Sequence, residues 1–153
     1  MELREALAAH TELGNKLYLP MFQGLLAEIE AETEEPRRAL TRIDAALALA
    51  SETGERCTDA FLHCIRGEIL HRQIPANVEE AERAFLTAIA IAQSQKARSF
   101  ELRAAWALAA LYQSTGRPAA AHAVLAPALT GFAPTADLPE VAKAQALLNA
   151  LAS

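Results

Sequence analysis

Three segments of the chain repeat one pattern of helical spacing, and that repetition constrains the fold more than any other feature. Ala81, Phe85 and Ala88 stand at intervals of four and three, which places them on one stripe of an α-helix. Ala39, Ile43 and Ala46 show the same small–large–small stripe 42 residues earlier, and Ala121, Leu125 and Ala128 show it 40 residues later. Self-similarity at a period of about 20–50 residues marks stacked repeats, because one repeat cannot bury its apolar face alone. The expectation is an all-α, right-handed α–α superhelix, a solenoid of about eight helices with no β-sheet.

Composition agrees with that class. The chain has 153 residues, enough for one domain with its own core. It is 52% hydrophobic but only 5% aromatic, since alanine supplies about a quarter of it. Alanine has the highest helix propensity, and its small side chain lets helices approach closely. The formal charge of −5 gives no electrostatic footprint for nucleic acid. No uninterrupted apolar run reaches the ~18 residues that a membrane span needs. The amino terminus lacks the basic-then-apolar pattern of a secretory leader. Cys57 and Cys64 are seven apart on one expected helix. Their Cα atoms would then lie roughly 10 Å apart, too far for a disulfide. A reduced, cytoplasmic setting follows as the expectation.

Helix punctuation divides the chain. Residues 2–13 read as an amphipathic helix closed by Gly14. The second helix runs from about Pro20 to Thr33, and the run Glu30, Glu32, Glu34 and Glu35 that closes it reads as a solvated loop, with an acidic recognition patch as the lesser alternative. Pro36 opens the third, which ends near Thr53 with Gly54 beyond it. The fourth spans about Arg56–Arg72. It carries Gly67, read as the only glycine in a helix interior, where a close helix approach accounts for the missing side chain. Pro75 ends that segment, and Asn77 with Glu80 forms a capping-box signal for the fifth helix. The sixth spans about Ala97–Ser114 and stops at Thr115-Gly116-Arg117-Pro118. The seventh runs from Pro118 to about Gly131 with Pro127 bending its last turn, and Asp137 with Glu140 caps the eighth.

Helix pairs with Ala-x3-large-x2-Ala in the second helix resemble the tetratricopeptide repeat. The fullest match is Leu108, Ala109 and Tyr112, then Gly116, then Ala121, Leu125 and Ala128. Gly67 and Leu70 precede Ala81, Phe85 and Ala88 in the same way, with two extra residues in the turn. Leu26 and Ala27 precede Ala39, Ile43 and Ala46 more loosely, with Glu30 where the family has tyrosine. The resemblance implies a half repeat at 2–14, repeats at 18–54, 56–95 and 97–132, and a capping helix at 137–152. The period is longer than the family's usual one, which bears on groove geometry more than on architecture. Segments such as Arg66-Gly67-Glu68, Ala97–Ala105 and Leu111–Arg117, with Asp137-Leu138-Pro139-Glu140 near the end, are also similar to a narrower group. These are the carboxy-terminal repeat regions of bacterial signalling proteins that join a class III nucleotide cyclase or another output domain to an AAA-type ATPase. No cyclase or ATPase sequence is present here.

Catalytic motifs are missing. The chain contains no Gly-x4-Gly-Lys-Ser/Thr loop, no Gly-x-Gly-x-x-Gly, no His-Glu-x-x-His and no Gly-x-Ser-x-Gly. Cys64, Glu68 and His71 share one helix face at spacings that permit zinc ligation, yet no Cys-x2-Cys accompanies them. An ordinary groove-facing stripe explains them better than a metal, and no cofactor is expected. Cys57 reads as a small buried residue. His10 and His122 are lone residues on helices and read as structural. Glu28 and Glu68 could form a carboxylate pair only if a cleft brought them together.

Helical repeats bind through the concave face of their first helices. In this register that face carries Met21, Gly24 and Glu28, then Phe61, Cys64, Glu68 and His71, then Arg103, Trp106, Ala110 and Gln113. Trp106 is the only tryptophan and stands one turn from Arg103. Those two residue types are the most enriched at binding hot spots, although Trp106 could instead fill space in an alanine-rich core. The face lacks the lysine and asparagine pattern with which some repeats clamp a carboxy-terminal carboxylate. The expectation is a non-catalytic protein-interaction module that binds another protein or a peptide, with self-association through the amino-terminal half repeat. The rival readings are a small-molecule sensor controlling an attached ATPase or cyclase, and a metal enzyme built on Cys64, Glu68 and His71.

Overall fold

The computed structural model describes residues 18–33, 36–73, 77–133 and 138–152, together with Glu5. Seven helices account for most of them: α1 (Leu19–Glu32), α2 (Pro36–Thr53), α3 (Asp59–Gln73), α4 (Val78–Gln95), α5 (Arg98–Ser114), α6 (Pro118–Leu129) and α7 (Pro139–Leu151). No strand occurs among the described residues. The helix expected at 2–13 and its stop at Gly14, together with Glu34, Glu35, Pro75 and Asp137, lie outside the described residues.

Each helix packs on the next in sequence, and each odd-numbered helix also packs on the next odd one. Thus α1, α3, α5 and α7 form one row, with α2, α4 and α6 set between successive members. The repeated stripe explains the arrangement: all nine of its residues, from Ala39 to Ala128, are fully buried. Alanine at the flanking positions removes bulk so that the helix axes can approach, and Ile43, Phe85 or Leu125 fills the central space. Among the described residues three apolar clusters result, the smallest around Leu19 and Leu26, and α3 serves the two larger ones. Its Phe61, Leu62, Ile65 and Ile69 pack toward α1 and α2, while Cys64 and Leu70 pack toward the cluster shared with α5 and α7. A helix wedged between two cores buries residues on more than one side, as α3 does.

Glycines mark the closest approaches. A Cβ placed on Gly67 would stand 2.6 Å from the Phe85 ring, so the close approach expected there is present. Gly67 is not the only glycine inside a helix, however. Gly24 lies within α1, where a Cβ would stand 2.6 Å from Leu62 Cδ2. Gly54 and Gly116 have φ of 71° and 73° and end α2 and α5 in the left-handed conformation that glycine adopts without strain.

Several local expectations are corrected. Helix α3 begins at Asp59 rather than Arg56, because the turn before it is closed by Asp59 N–H donating to Arg56 O at 3.2 Å and by Arg56 Nε donating to Asp59 Oδ2 at 3.0 Å. Cys57 falls in that turn and is exposed, not buried. Asn77 stands at the N-cap of α4 but makes no side-chain capping bond. Helix α6 ends at Leu129, two residues past Pro127. Glu30 is not part of a solvated loop. It is 1% exposed, and Arg42 donates to both of its oxygens at 2.8 and 2.9 Å, with Arg38 at 3.4 Å. A carboxylate can be buried there because guanidinium groups from α2 match its charge and geometry.

Candidate binding cleft

The row of odd helices lines a cleft of about 500 Å³. Its floor is α5, where Ala107 and Ala110 leave room that larger side chains would fill, with Leu102 and the Phe85 ring beneath. Helix α3 supplies one wall with Glu68, His71 and Arg72, and α7 supplies the other with Glu140 and Lys143. Glu28 of α1 closes one side, and Trp106 rises from the floor with 37% of its surface exposed.

Arg103 ties these walls together. Its Nη2 donates to Glu28 Oε1 at 2.6 Å and to Glu68 Oε2 at 3.1 Å, and its Nε donates to Glu68 Oε1 at 3.2 Å. One guanidinium on α5 therefore holds carboxylates from α1 and α3, which are 75 and 35 residues away in sequence. The plane also lies over the Phe61 ring, 5.3 Å from its centroid. Burial disfavours the Arg103 charge, but the hydrogen bonds and charge of Glu68, with the charge of Glu28, outweigh that and raise its pKa. Cys64 donates to Glu68 Oε1 at 3.5 Å. Burial above all, then the charge of Glu68, pushes its thiol well above the ordinary range, while Arg103 opposes. It is therefore a protonated core residue rather than a nucleophile. Glu28 and Glu68 do meet, but on a cation, so neither is placed as a general base.

The residues expected on the concave face divide into two groups. Glu28, Glu68, His71, Arg103, Trp106 and Ala110 line the cleft together. Phe61 and Cys64 do not: both are buried, Phe61 under Arg103 and against Phe100 at 5.8 Å between ring centroids. Gly24 is buried against Leu62, and Met21 packs on the core that α1 shares with α2. Gln113 is exposed but lies outside the cleft. Sequence reasoning missed Arg72, Glu140 and Lys143. The contribution of α7 had no local signal, since it depends on α7 packing beside α5. Of the three residues with zinc-permissive spacing, Cys64 is buried against Glu68, and His71 faces the cleft with its buried Nδ1 lacking a hydrogen-bond partner. The described residues contain no group of three or more side chains placed to hold a metal ion.

Among the described residues no helix is long and apolar enough to cross a membrane. Compared with known proteins, the chain matches no protein-family model and no curated sequence.

Proposed function

We propose that the chain is a non-catalytic protein-interaction module, a right-handed solenoid of tetratricopeptide type that takes a peptide segment of a partner protein in the cleft of its odd-numbered helices. The observation that carries this reading is the placement of Trp106 and Arg103, one turn apart on α5, in a cleft with an alanine floor. A large aromatic beside a fixed guanidinium in a concave site is the usual composition of a binding hot spot. The row of helices α1, α3, α5 and α7 supports the solenoid, since stacking of first helices is what such a repeat requires. In the parent protein the module would act in the cytoplasm as the regulatory part of a bacterial signalling chain, in keeping with the similarity of its repeat segments.

The test is a peptide array probed with the purified protein and with Trp106→Ala. Removing a hot-spot tryptophan costs about 2 kcal/mol or more, so peptides retained by the native protein should bind roughly 30-fold more weakly to the variant. Circular dichroism on both proteins keeps a folding defect apart from a binding defect. Peptide binding that is unchanged in a folded variant would remove the cleft from consideration. One observation favours a second reading: the cleft volume falls within the roughly 300–1,000 Å³ of small-molecule sites, which suits a sensor domain controlling an attached ATPase or cyclase.

A further inference from the structure

The ion cluster in the cleft joins two helices that do not otherwise meet. In a helical solenoid each repeat packs only on its neighbours. The described backbone follows that rule: α1 and α2 pack on each other and on α3, and neither packs on α4 or α5. The α1–α2 pair is itself firmly fastened, since Arg42 of α2 donates to both oxygens of Glu30 and, at 2.6 Å, to Gln23 Oε1 on α1. The pair therefore sits on the rest of the described chain as one body, with α3 as its axle. Arg103 of α5 reaches past that axle. Its guanidinium lies on α3, over the Phe61 ring and against both oxygens of Glu68, and Glu28 of α1 meets its Nη2 at 2.6 Å. Among the described residues no other hydrogen bond or ion pair joins α1 to α5. The two carboxylates hold unequally. Glu68 uses both oxygens and its side chain is 18% exposed, whereas Glu28 uses Oε1 alone and is 31% exposed.

We infer that the Glu28–Arg103 pair is a reversible latch on the cleft. Made, it draws the α1–α2 pair toward α5 and closes the α1 side of the cleft. Released, it lets that pair turn about α3 and opens the same side, while Arg103 stays on Glu68. A partly exposed ion pair biases an equilibrium by no more than about fivefold, and salt screens it. A two-state element with so small a bias is one that a ligand's unequal contacts with the two states can shift. The latch governs access to the cleft whatever occupies it, so its failure would leave the interaction-module reading standing.

The experiment measures spin-label distances in the full chain carrying Cys57→Ser, with Cys64 left in place because it is buried. Labels go on exposed positions only. Ile29→Cys with Gln113→Cys spans α1 and α5, and Ile29→Cys with Ala48→Cys spans α1 and α2. Glu28→Ala removes the α1 side of the latch and leaves Arg103 its partner Glu68. The expected result is a rise of about two- to fivefold in the ratio of long to short α1–α5 distances in that variant. Salt at about 1 M, where the screening length is about 3 Å, should shift the labelled protein with Glu28 intact in the same direction. The α1–α2 distance should stay fixed throughout. An α1–α5 distribution unchanged by Glu28→Ala would overturn the latch. An equal change in the α1–α2 pair would overturn it as well, because that would report general loosening instead of rotation about α3. Circular dichroism shows whether Glu28→Ala is folded. Should it unfold, the comparison of low and high salt with Glu28 intact decides, and an α1–α5 distribution insensitive to salt would overturn the latch.

Discussion

Replacing Gly67 with alanine sets two physical effects against each other, and the structure decides the sign. Helix propensity alone predicts that Gly67→Ala stabilises α3 by about 1 kcal/mol. Against that, the new Cβ would meet three atoms of the Phe85 ring at 2.6, 2.7 and 2.9 Å, all below the range of real Cβ contacts. Phe85 is 1% exposed and sits between Ala81 and Ala88 on a stripe that is itself buried, so the ring has little room to retreat. Overpacking of this kind costs about 1–3 kcal/mol, which exceeds the propensity gain over most of its range. The expected net effect is a destabilisation of about 1 kcal/mol, or a fall in Tm of roughly 2–4 °C for a chain of this size. Urea unfolding followed by circular dichroism measures it. The same substitution in a Phe85→Leu background isolates the cause. With the ring gone, the clash is relieved and the propensity gain remains, so Gly67→Ala should become neutral or stabilising, a coupling of at least about 1 kcal/mol. A Gly67→Ala protein more stable than the native one, or a coupling near zero, would refute the close-approach argument.

Other outcomes follow from the same contacts. Glu30→Ala removes a buried carboxylate held by Arg42 and Arg38 and should cost about 1–3 kcal/mol in denaturant unfolding. That is less than a fully buried pair would lose, because both arginines can still reach solvent. Trp106→Ala should cost less than about 1.5 kcal/mol, well under the 3–5 kcal/mol of a core tryptophan; a larger loss would place Trp106 in the core. In the folded protein an alkylating reagent should label exposed Cys57 quickly and Cys64 only after unfolding, as read by mass spectrometry. The raised thiol pKa of Cys64 also sets a pH dependence. Below the ordinary value of 9.0 the stability linked to that proton is fully present. Above it, the unfolded chain loses a proton that the folded chain keeps, so stability should fall as pH rises past 9.0. Tyr112, raised by burial and by Glu82, adds to the same fall above 10.0, and Tyr112→Phe should reduce it.

The sequence by itself determined the helices and the residues that join them into a core. Spacing of four and three is a local property, and it named nine buried residues because any helix carrying such a stripe must cover it. Glycine and proline fixed most ends equally well, since their backbone preferences act within a residue or two, as at Gly54, Gly116, Pro36 and Pro118. Local reasoning failed where the outcome depends on what lies opposite. Glu30 could be buried only because α2 brings Arg42 to it. Helical spacing placed Phe61 and Cys64 on the same face as Glu68, but α3 is packed on both sides, so sharing a face did not mean sharing a surface. Tertiary structure alone decided that Glu28 and Glu68 converge on Arg103 and that α7 walls the cleft above the alanine floor of α5. The physical reason is distance along the chain: periodicity fixes which way a side chain points from its own helix, and only packing fixes what it meets there.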